Sequence, residues 1–401
     1  MTLAAQPTVK AHNLPLDSVR GIAALCIVVH HCVISQTFGR VFDLGGPLAG
    51  FFWNAWIFVD LFFVLSGIVI AMNYAAPRGP FSIREFMVRR LARIYPLHLA
   101  MLLVLLPLRG VRLATTAAGL PVASGLTQDV NTPYAFVMQL FLLNALGTVD
   151  SLNWNGPSWS ISAEFYTYLI FAGLIAALAA HRALALTGPV FALLSVAALL
   201  AILFVLRADS LEFHFDFGIL RCLYSFAIGV VTFKLVEALG KHLAWAGDGR
   251  VQGLAALAAL ALVAAVGAHG ALSFLAPPVF ALFLGGLLVN GGSGLGRLLS
   301  ARPLIWLGAR SYSIYMVHAT VVVLAEYGLR AVGLDRIRAL DAAFGGYLGL
   351  ALILAVVGSV LIIADFTRKH VEKPGSRAIL ALFDRSRFAR RAPALDLQER
   401  P

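Results

Sequence analysis

Two ionisable residues lie in the first apolar stretch of the chain, at a spacing that places them on one face of a helix. Arg20 opens this stretch and His31 lies deep inside it. At about 100° and about 1.5 Å per residue, they share a face to within about 20° and lie about 16 Å apart along the axis. His30 falls about 80° away from that face. Ionisable groups in a membrane span usually face a cavity or a partner, so this cation and base suit a long ligand lying along the helix.

A second group of basic residues begins the third apolar stretch. Arg90 and Arg93 are three positions apart, which places them on one helical face, and Pro96 follows one turn later. Guanidinium groups are always charged and bind phosphate in a bidentate fork. Because Arg20 is expected at the same side of the membrane, the three arginines predict a polyanionic ligand that arrives from the cytoplasm.

Aromatic and acidic residues open the fourth apolar stretch. Trp159, Glu164, Tyr166 and Tyr168 have the composition of a sugar-binding lining, in which rings stack on the sugar and a carboxylate accepts hydroxyl protons. Ser160 lies among them, either as a helix cap or as part of that lining. An unbroken apolar run follows Glu164, so we expect this carboxylate at or just below the outer surface.

Other polar residues within the apolar stretches have open interpretations. Asp60 in the second stretch could pair with Arg20 or orient His31, whereas Arg221 in the sixth has no partner that the sequence identifies. Tyr312, Tyr315 and His318 recur every three residues, so they form one polar and aromatic face. On that face, His318 is either a hydrogen-bonded core residue or a second residue of the site.

Composition defines the class of protein. Of the 401 residues, 60% are hydrophobic and only 13% are charged, with a mean hydropathy of +0.85, far from the balance of a soluble domain. The net charge of +11 comes from basic residues between apolar stretches, which indicate membrane topology and contacts to anionic lipid rather than nucleic-acid binding. The sequence therefore predicts an all-α polytopic membrane protein, a bundle of about ten transmembrane helices.

Windows of membrane length give ten predicted spans. They lie near 18–37, 52–75, 88–108, 158–180, 187–206, 215–233, 251–269, 273–290, 311–329 and 345–365. With both termini in the cytoplasm, the inner segments hold 23 of the 31 Lys and Arg residues and the outer segments hold seven, the last being Arg221 within a span. An extra crossing by the short apolar piece 134–146 would put the basic C-terminus outside, so we predict that it does not cross.

The chain is expected to form one membrane domain over 1–370 and a basic, poorly ordered cytoplasmic tail over 371–401. The three cysteines all lie in apolar runs, and no structural disulfide is expected. No internal repeat is visible, which argues against a transporter built from duplicated halves.

Several motifs together resemble the acyltransferase 3 family of membrane-bound O-acyltransferases. These motifs are Leu16-Asp-Ser-Val-Arg-Gly with the spacing from Arg20 to His31, Phe62-Phe-Val-Leu-Ser-Gly67, Arg90-x-x-Arg93 before Ile-Tyr-Pro, Trp159-Ser-Ile-x-x-Glu164, and Ser311-Tyr-Ser-Ile-Tyr-Met-Val-His318. They occur in the family's order over about residues 14–370.

The resemblance implies an acyl-CoA donor (acetyl-CoA in the simplest case), a catalytic histidine at His31, and donor contacts at Arg20, Arg90 and Arg93. His31 would act as general base or carry the acyl group. A carbohydrate or lipid-linked glycan would be the acceptor, with Glu164 as a second catalytic residue. Substrate contacts are expected at Trp159, Ser160, Asp60, Tyr312 and His318.

The expected location is the bacterial inner membrane, and neither a metal nor a nucleic-acid partner is expected. The alternative is a transporter or flippase-like subunit that uses the same intramembrane arginine, histidine and glutamate residues as a pathway.

Overall fold

The computed structural model of the chain describes residues 14–35, 37–38, 47–75, 81–118 and 130–383. Within these ranges the regular elements are helices, and ten of them are long and apolar. We number these ten in chain order: α1 Leu14–Ile34, α2 Phe58–Tyr74, α3 Ile83–Ala117, α4 Trp159–Ala180, α5 Thr187–Leu200, α6 Gly218–Leu239, α7 Gly249–Ala265, α8 Ala276–Val289, α9 Arg302–Val332 and α10 Leu348–Thr367.

The ten helices coincide with the ten predicted spans. Nine segments of the described chain are long and apolar enough to cross a membrane, and α7 is a shorter apolar helix. The prediction of an all-α polytopic membrane protein is therefore confirmed. One clear difference is the start of α9 at Arg302 rather than near 311. Its first turns contain Arg310, whose Nε donates to Asp365 at 2.7 Å and whose guanidinium stacks on Trp306 at 4.0 Å. A charge satisfied in this way lowers the hydropathy of the segment without ending the helix.

The short apolar piece near 134–146 does not cross the bundle, as predicted. It forms the helix Pro133–Leu140, which Thr132 caps by accepting from the Ala135 N–H at 3.1 Å. Eight residues of helix are about 12 Å long, less than half of the hydrocarbon thickness. Turns follow this helix, and Leu142 adopts a left-handed backbone conformation with φ of 56°.

Ten alternating helices bring the start of α1 and the end of α10 to the same end of the bundle. Thr37, beyond the end of α1, accepts from Arg330 near the end of α9 at 3.0 Å, so α1 and α9 run in parallel. Asp365 near the end of α10 pairs with Arg310 near the start of α9, so these two helices are antiparallel. We call the end where α1 begins the arginine end, after Arg20, and the opposite end the histidine end, after His31.

Glycines set the two closest helix crossings. A Cβ added to Gly21 of α1 would lie 2.5 Å from the backbone nitrogen of Gly308 of α9, and Gly67 of α2 meets Gly229 of α6 in the same way. Only a residue without a side chain allows backbones to approach so closely. Gly67 therefore allows α2 to pack closely against α6.

The partner of Arg221 is Asp60, and both side chains are fully buried. Arg221 Nε and Nη2 donate to the Asp60 carboxylate at 3.1 and 2.6 Å, and Ser225 Oγ adds a bond at 3.0 Å. The guanidinium lies between the rings of Trp56 and Trp159, 5.0 and 5.2 Å from their centroids. Pairing of Asp60 with Arg20, or orientation of His31 by Asp60, is therefore wrong, because α6 provides a buried guanidinium directly beside Asp60.

The last helix continues beyond the predicted membrane domain. A π-helical turn, Arg368–Glu372, leads into a further helix, Lys373–Leu382. Gly375 packs against the ring of Pro96 in the middle of α3, where an added Cβ would lie 2.5 Å from the proline Cβ. The expectation of a poorly ordered tail is thus wrong for residues 371–382. Residues 384–401 lie outside the described residues.

The buried Asp60–Arg221 pair yields a stability prediction. Asp60→Leu leaves an unpaired guanidinium inside the bundle and should lower the free energy of unfolding by about 3–5 kcal/mol. The double variant Asp60→Leu with Arg221→Leu removes both charges and should recover most of that loss. Thermal unfolding of the purified single and double variants in detergent measures the two changes in stability. A double variant that is as unstable as Asp60→Leu would show that the damage comes from repacking rather than from an unpaired charge.

Candidate active site

His31 and His318 face each other at the contact between α1 and α9. Their ring centroids are 4.6 Å apart at an interplanar angle of 66°. Nδ1 of His31 lies 2.9 Å from the Ile27 carbonyl, and Nδ1 of His318 lies 2.5 Å from the Tyr315 carbonyl. Since a carbonyl only accepts, each Nδ1 carries a proton, and in the neutral form of each ring Nε2 then holds the lone pair. Nε2 of His318 is buried and has no hydrogen-bond partner among the described residues. Two oriented bases therefore lie side by side at the histidine end.

His30 has a different environment from His31. Its Nδ1 lies 3.0 Å from the Phe52 carbonyl, and the side chain is buried. It therefore ties α1 to the short helix Pro47–Trp53, as expected of a residue that faces a neighbouring segment. Its ring also meets the edge of the His31 ring at 5.0 Å, so it supports His31 from one side.

A closed set of hydrogen bonds fixes Tyr315, which in turn positions His318. The Tyr315 hydroxyl donates to the Pro157 carbonyl at 3.0 Å and accepts from Ser160 Oγ at 2.9 Å. The Tyr315 ring lies 5.5 Å from the His318 ring. Ser160, predicted to contact substrate, is buried, and its hydroxyl is bonded to Tyr315. Its observed contacts are those of a positioning residue.

A group of charged side chains lies closer to the arginine end than the histidines do. Arg20 Nε donates to Ser311 Oγ at 2.8 Å and its Nη2 donates to Asp17 at 3.1 Å. Arg20 interacts electrostatically with Arg93, Glu164 and Glu372, and so does Tyr312. We call Arg20, Arg93, Glu164 and Glu372 the charged layer. Ser311 precedes His318 by seven residues, so this layer lies about 10 Å from the histidine pair along α9.

The two arginines of α3 differ in environment. Arg90 is buried among the rings of Tyr74, Phe86 and Tyr168, at 5.6 to 5.9 Å from their centroids. Its Nε is buried without a hydrogen-bond partner. Arg93 is half-buried, one turn nearer the middle of the bundle, and makes no ion pair with the described residues. Of the two arginines predicted to act together, Arg90 is therefore surrounded by aromatic rings, whereas Arg93 is part of the charged layer.

Glu164 does not lie near the outer surface as predicted. It follows Ser160 by one turn of α4, which places it about 6 Å closer to the arginine end than the Ser160–Tyr315 contact. Its carboxylate accepts from the Tyr168 hydroxyl at 2.6 Å, and that hydroxyl also contacts Ser66 Oγ at 2.9 Å. Glu164 therefore belongs with Arg20 and not with His31.

The predicted sugar-binding lining is not formed by the aromatic residues of α4. The Trp159 ring is 4% exposed and lies between Arg221 and the ring of His214, which is 5.0 Å away. Tyr168 is also 4% exposed, and the Tyr166 hydroxyl donates to the Phe141 carbonyl at 3.1 Å. Trp159 and Tyr166 are seven residues apart and share a helical face, whereas Tyr168 lies on the opposite face. Because Trp159 and Tyr168 are also buried, the three rings do not form one open surface.

Tyr312 and Glu372 complete the arginine end. The Tyr312 hydroxyl donates to the Ile94 carbonyl of α3, two residues before Pro96. Glu372 accepts from Ser313 Oγ at 2.7 Å. Sequence reasoning missed Glu372 because it placed this residue in the tail. Its only local signal is its position at the end of a hydrophobic helix.

His214 is a second residue that sequence reasoning missed. It lies in the linker before α6, where Arg207 and Phe217 adopt left-handed backbone conformations with φ of 53° and 65°. Burial, together with the nearby Arg221 and His31, lowers the pKa of His214 to about 3, so its imidazole is neutral. A single histidine in a phenylalanine-rich linker carries no signal in the sequence; only the folded linker brings it to the histidine end.

The site thus has two centres joined through the bundle. The histidine end offers oriented, neutral imidazoles, which can take a proton from a hydroxyl group. The arginine end offers guanidinium and carboxylate groups, which can hold an extended polar ligand. Among the residues that the structure describes, no group of three or more His, Cys, Asp and Glu is arranged to hold a metal ion.

Comparison with known proteins identifies the family of the chain. The sequence model of the acyltransferase 3 family, described as an acyltransferase domain, matches residues 13–364. The chain is 28% identical to the acyltransferase MdmB of Streptomyces mycarofaciens over 380 residues, which covers 91% of this chain and 92% of that protein.

Two other relatives have informative names. The putative peptidoglycan O-acetyltransferase YrhL of Bacillus subtilis is 27% identical over 77% of this chain and 48% of its own length. The putative membrane-bound transacylase BcsY of Komagataeibacter xylinus is 26% identical over 88% of this chain and 82% of its own length. No solved structure matches the chain significantly. The family match spans most of the sequence and the fold is a bundle of membrane helices, so the chain belongs to the acyltransferase 3 family and is a polytopic membrane acyltransferase.

Proposed function

We propose that the protein transfers an acyl group, acetyl in the simplest case, from acyl-CoA to a hydroxyl group of a carbohydrate acceptor. The observation that carries this proposal is the orientation of His31, whose Nδ1 is committed to the Ile27 carbonyl and whose Nε2 is left as a base. The acceptor would be a surface polysaccharide, an exopolysaccharide unit or a lipid-linked glycan. The name of the relative YrhL, a putative peptidoglycan O-acetyltransferase, supports a glycan.

In the proposed reaction His31 acts as general base. Its Nε2 takes the proton of the acceptor hydroxyl while the hydroxyl oxygen bonds to the thioester carbon. The carbon–sulfur bond then breaks, and the proton on Nε2 passes to the thiolate that leaves, so CoA is released as the thiol. The Ile27 carbonyl stabilises the imidazolium that forms in between, because it accepts the Nδ1 proton throughout.

The donor would enter at the arginine end, where Arg20, Arg90 and Arg93 provide positive charge. We infer that this end faces the cytoplasm of a bacterial inner membrane, because 23 of the 31 basic residues lie in segments on that side. The acceptor would approach the histidine end, where His318 and the neutral His214 flank His31. The charged layer and the histidines could also form the pathway of a transporter, which remains the alternative.

A topology experiment tests the orientation. Reporter fusions after Gly147 should report the outside of the membrane, and fusions after Phe383 should report the cytoplasm. The basis is the even number of crossings combined with the distribution of basic residues. Reversed signals at both sites would show that the bundle has the opposite orientation, with the arginine end facing away from the cytoplasm, and would contradict the proposed entry of acyl-CoA.

The histidine pair on α1 gives the sharpest test of catalysis. His31→Ala should abolish measurable acyl transfer, at least the 10²- to 10⁴-fold typical of a general base, while CoA binding and thermal stability remain. His30→Ala should retain most activity, because its Nδ1 contacts the Phe52 carbonyl. Both are measured as transfer of labelled acetate from acetyl-CoA to cell-surface glycan in membranes with equal protein levels. Loss of activity in His30→Ala with retention in His31→Ala would remove the catalytic assignment, and transport without transfer would favour the alternative.

Donor binding is tested at α3. Arg90→Ala and Arg93→Ala should each raise the Michaelis constant for acyl-CoA, because each loses a charge-assisted contact worth roughly 1.5–3 kcal/mol. Arg90→Lys and Arg93→Lys should recover only part of the lost acyl-CoA binding, since an ammonium group lacks the planar fork of a guanidinium. Lys234→Ala is the matched control, a basic residue of α6 paired with Glu237 away from the charged layer. Unchanged calorimetric affinity for CoA in the double variant would assign these arginines to topology alone.

A further inference from the structure

The charged layer contains opposite charges that lie near one another but form no ion pair with each other; Arg20 is bonded to Asp17 instead. Among the described residues, Glu164 accepts only from the Tyr168 hydroxyl, and Glu372 accepts only from Ser313. Arg93 makes no ion pair or hydrogen bond with the residues that the structure describes. Hydrogen bonds to three consecutive residues of α9 bring the members of the layer together: Arg20 bonds to Ser311, the Ile94 carbonyl beside Arg93 accepts from Tyr312, and Glu372 accepts from Ser313. Glu164 interacts electrostatically with both Arg20 and Tyr312, so it lies near the same place. Half-buried charges normally pair or bind something, because leaving them without partners is costly.

The signs of these charges restrict what can fill the space. Arg20 and Arg93 offer only hydrogen-bond donors, whereas Glu164 and Glu372 offer only acceptors when ionised. The two positive charges face two negative ones, and Asp17 adds a third negative charge beside Arg20, so the layer is not an attractive site for a polyphosphate, which has acceptors alone. A ligand that presents N–H donors and C=O acceptors together satisfies both kinds of side chain. Amide groups have this property.

Distance from the histidines gives the same answer. The layer lies about 10 Å from the histidine pair. An extended chain advances about 1.2 Å per bond. The pantetheine arm of CoA therefore places its two amide groups about 4 to 10 Å from the sulfur, whereas its first phosphorus lies about 16 Å away. With the thioester at His31, the outer amide lies at the depth of the layer and the inner amide lies between the layer and the histidines. The phosphates lie nearer the mouth of the arginine end, at the depth of Arg90.

We propose that the charged layer binds the amide groups of the donor's pantetheine arm, with Glu164 and Glu372 accepting from the amide N–H groups and Arg20 and Arg93 donating to the amide carbonyls. This proposal rests on the proposed acyl-CoA donor. It makes Glu372, which lies beyond the segment that matches the family, a donor-binding residue. The phosphates contact Arg90 and other basic groups at the mouth.

Neutralising a carboxylate of the layer should change the dissociation constant of CoA in opposite directions depending on whether amides or phosphates bind there. Glu372→Gln and Glu164→Gln should each raise the dissociation constant of CoA about tenfold, because a charge-assisted bond to an amide N–H becomes a neutral one. If phosphates occupied the layer, the same variants would bind CoA more tightly, because a repulsive charge is removed. Binding is measured by titration calorimetry on the full-length protein in detergent. Tighter or unchanged binding in both variants overturns the proposal.

A second measurement tests the arginine side. Arg93→Met should weaken CoA binding but keep the wild-type dependence of affinity on salt, since its amide partner is uncharged and screening acts on charge pairs. A flatter salt dependence would assign Arg93 to a phosphate. Glu326→Gln is the matched control, because Glu326 bonds Ser35 at the histidine end, and its CoA affinity should equal that of the wild type. Equal melting temperatures exclude misfolding. If the wild type itself binds no CoA, the proposal that acyl-CoA is the donor is contradicted, and not only the proposal that its amide groups bind in the charged layer.

Discussion

The contact between Gly21 and Gly308 sets the register on which the site depends. It brings the backbones of α1 and α9 together near the arginine end, and the two helices run in parallel from there. Ten residues further along each helix lie His31 and His318, whose rings therefore meet at 4.6 Å. A side chain at either glycine would separate the helices and move both imidazoles. The alignment of two bases is thus a consequence of two missing side chains.

Charges inside this bundle fall into two kinds, and their hydrogen bonding distinguishes them. Asp60 and Arg221 are fully buried and mutually satisfied, with Ser225 and two indole rings completing their surroundings. Arg310 and Asp365 form a similar pair between α9 and α10. Such pairs fix which helices pack together. The charged layer is the opposite case, because its four members form no ion pair with each other: Glu164 and Glu372 are bonded to hydroxyl groups, and Arg20 is bonded to Ser311 and Asp17. Incomplete pairing in a low-dielectric interior is costly, and a polar ligand that bonds to these groups offsets that cost.

The arginine end is built by elements that are distant in sequence. α3 contains Pro96, and the carbonyl of Ile94, two residues earlier, receives a hydrogen bond from Tyr312 of α9. The helix Lys373–Leu382 packs Gly375 against the same proline, and Glu372, at the end of the π-helical turn before it, accepts from Ser313. Three segments that are distant in sequence therefore meet at one place.

The sequence by itself determined the spans, because crossing a hydrocarbon layer requires about 20 apolar residues in a row and this property is local. It also determined that Arg20 and His31 share a face and that His30 does not, because helical periodicity is fixed. Only the tertiary structure decided which residues meet across helices. Asp60 and Arg221 are separated by 161 positions, and neither hydropathy nor periodicity encodes that contact. The depth of Glu164 and the burial of Trp159 were mispredicted for the same reason: a residue's position along its own helix says nothing about the register of the neighbours that cover it.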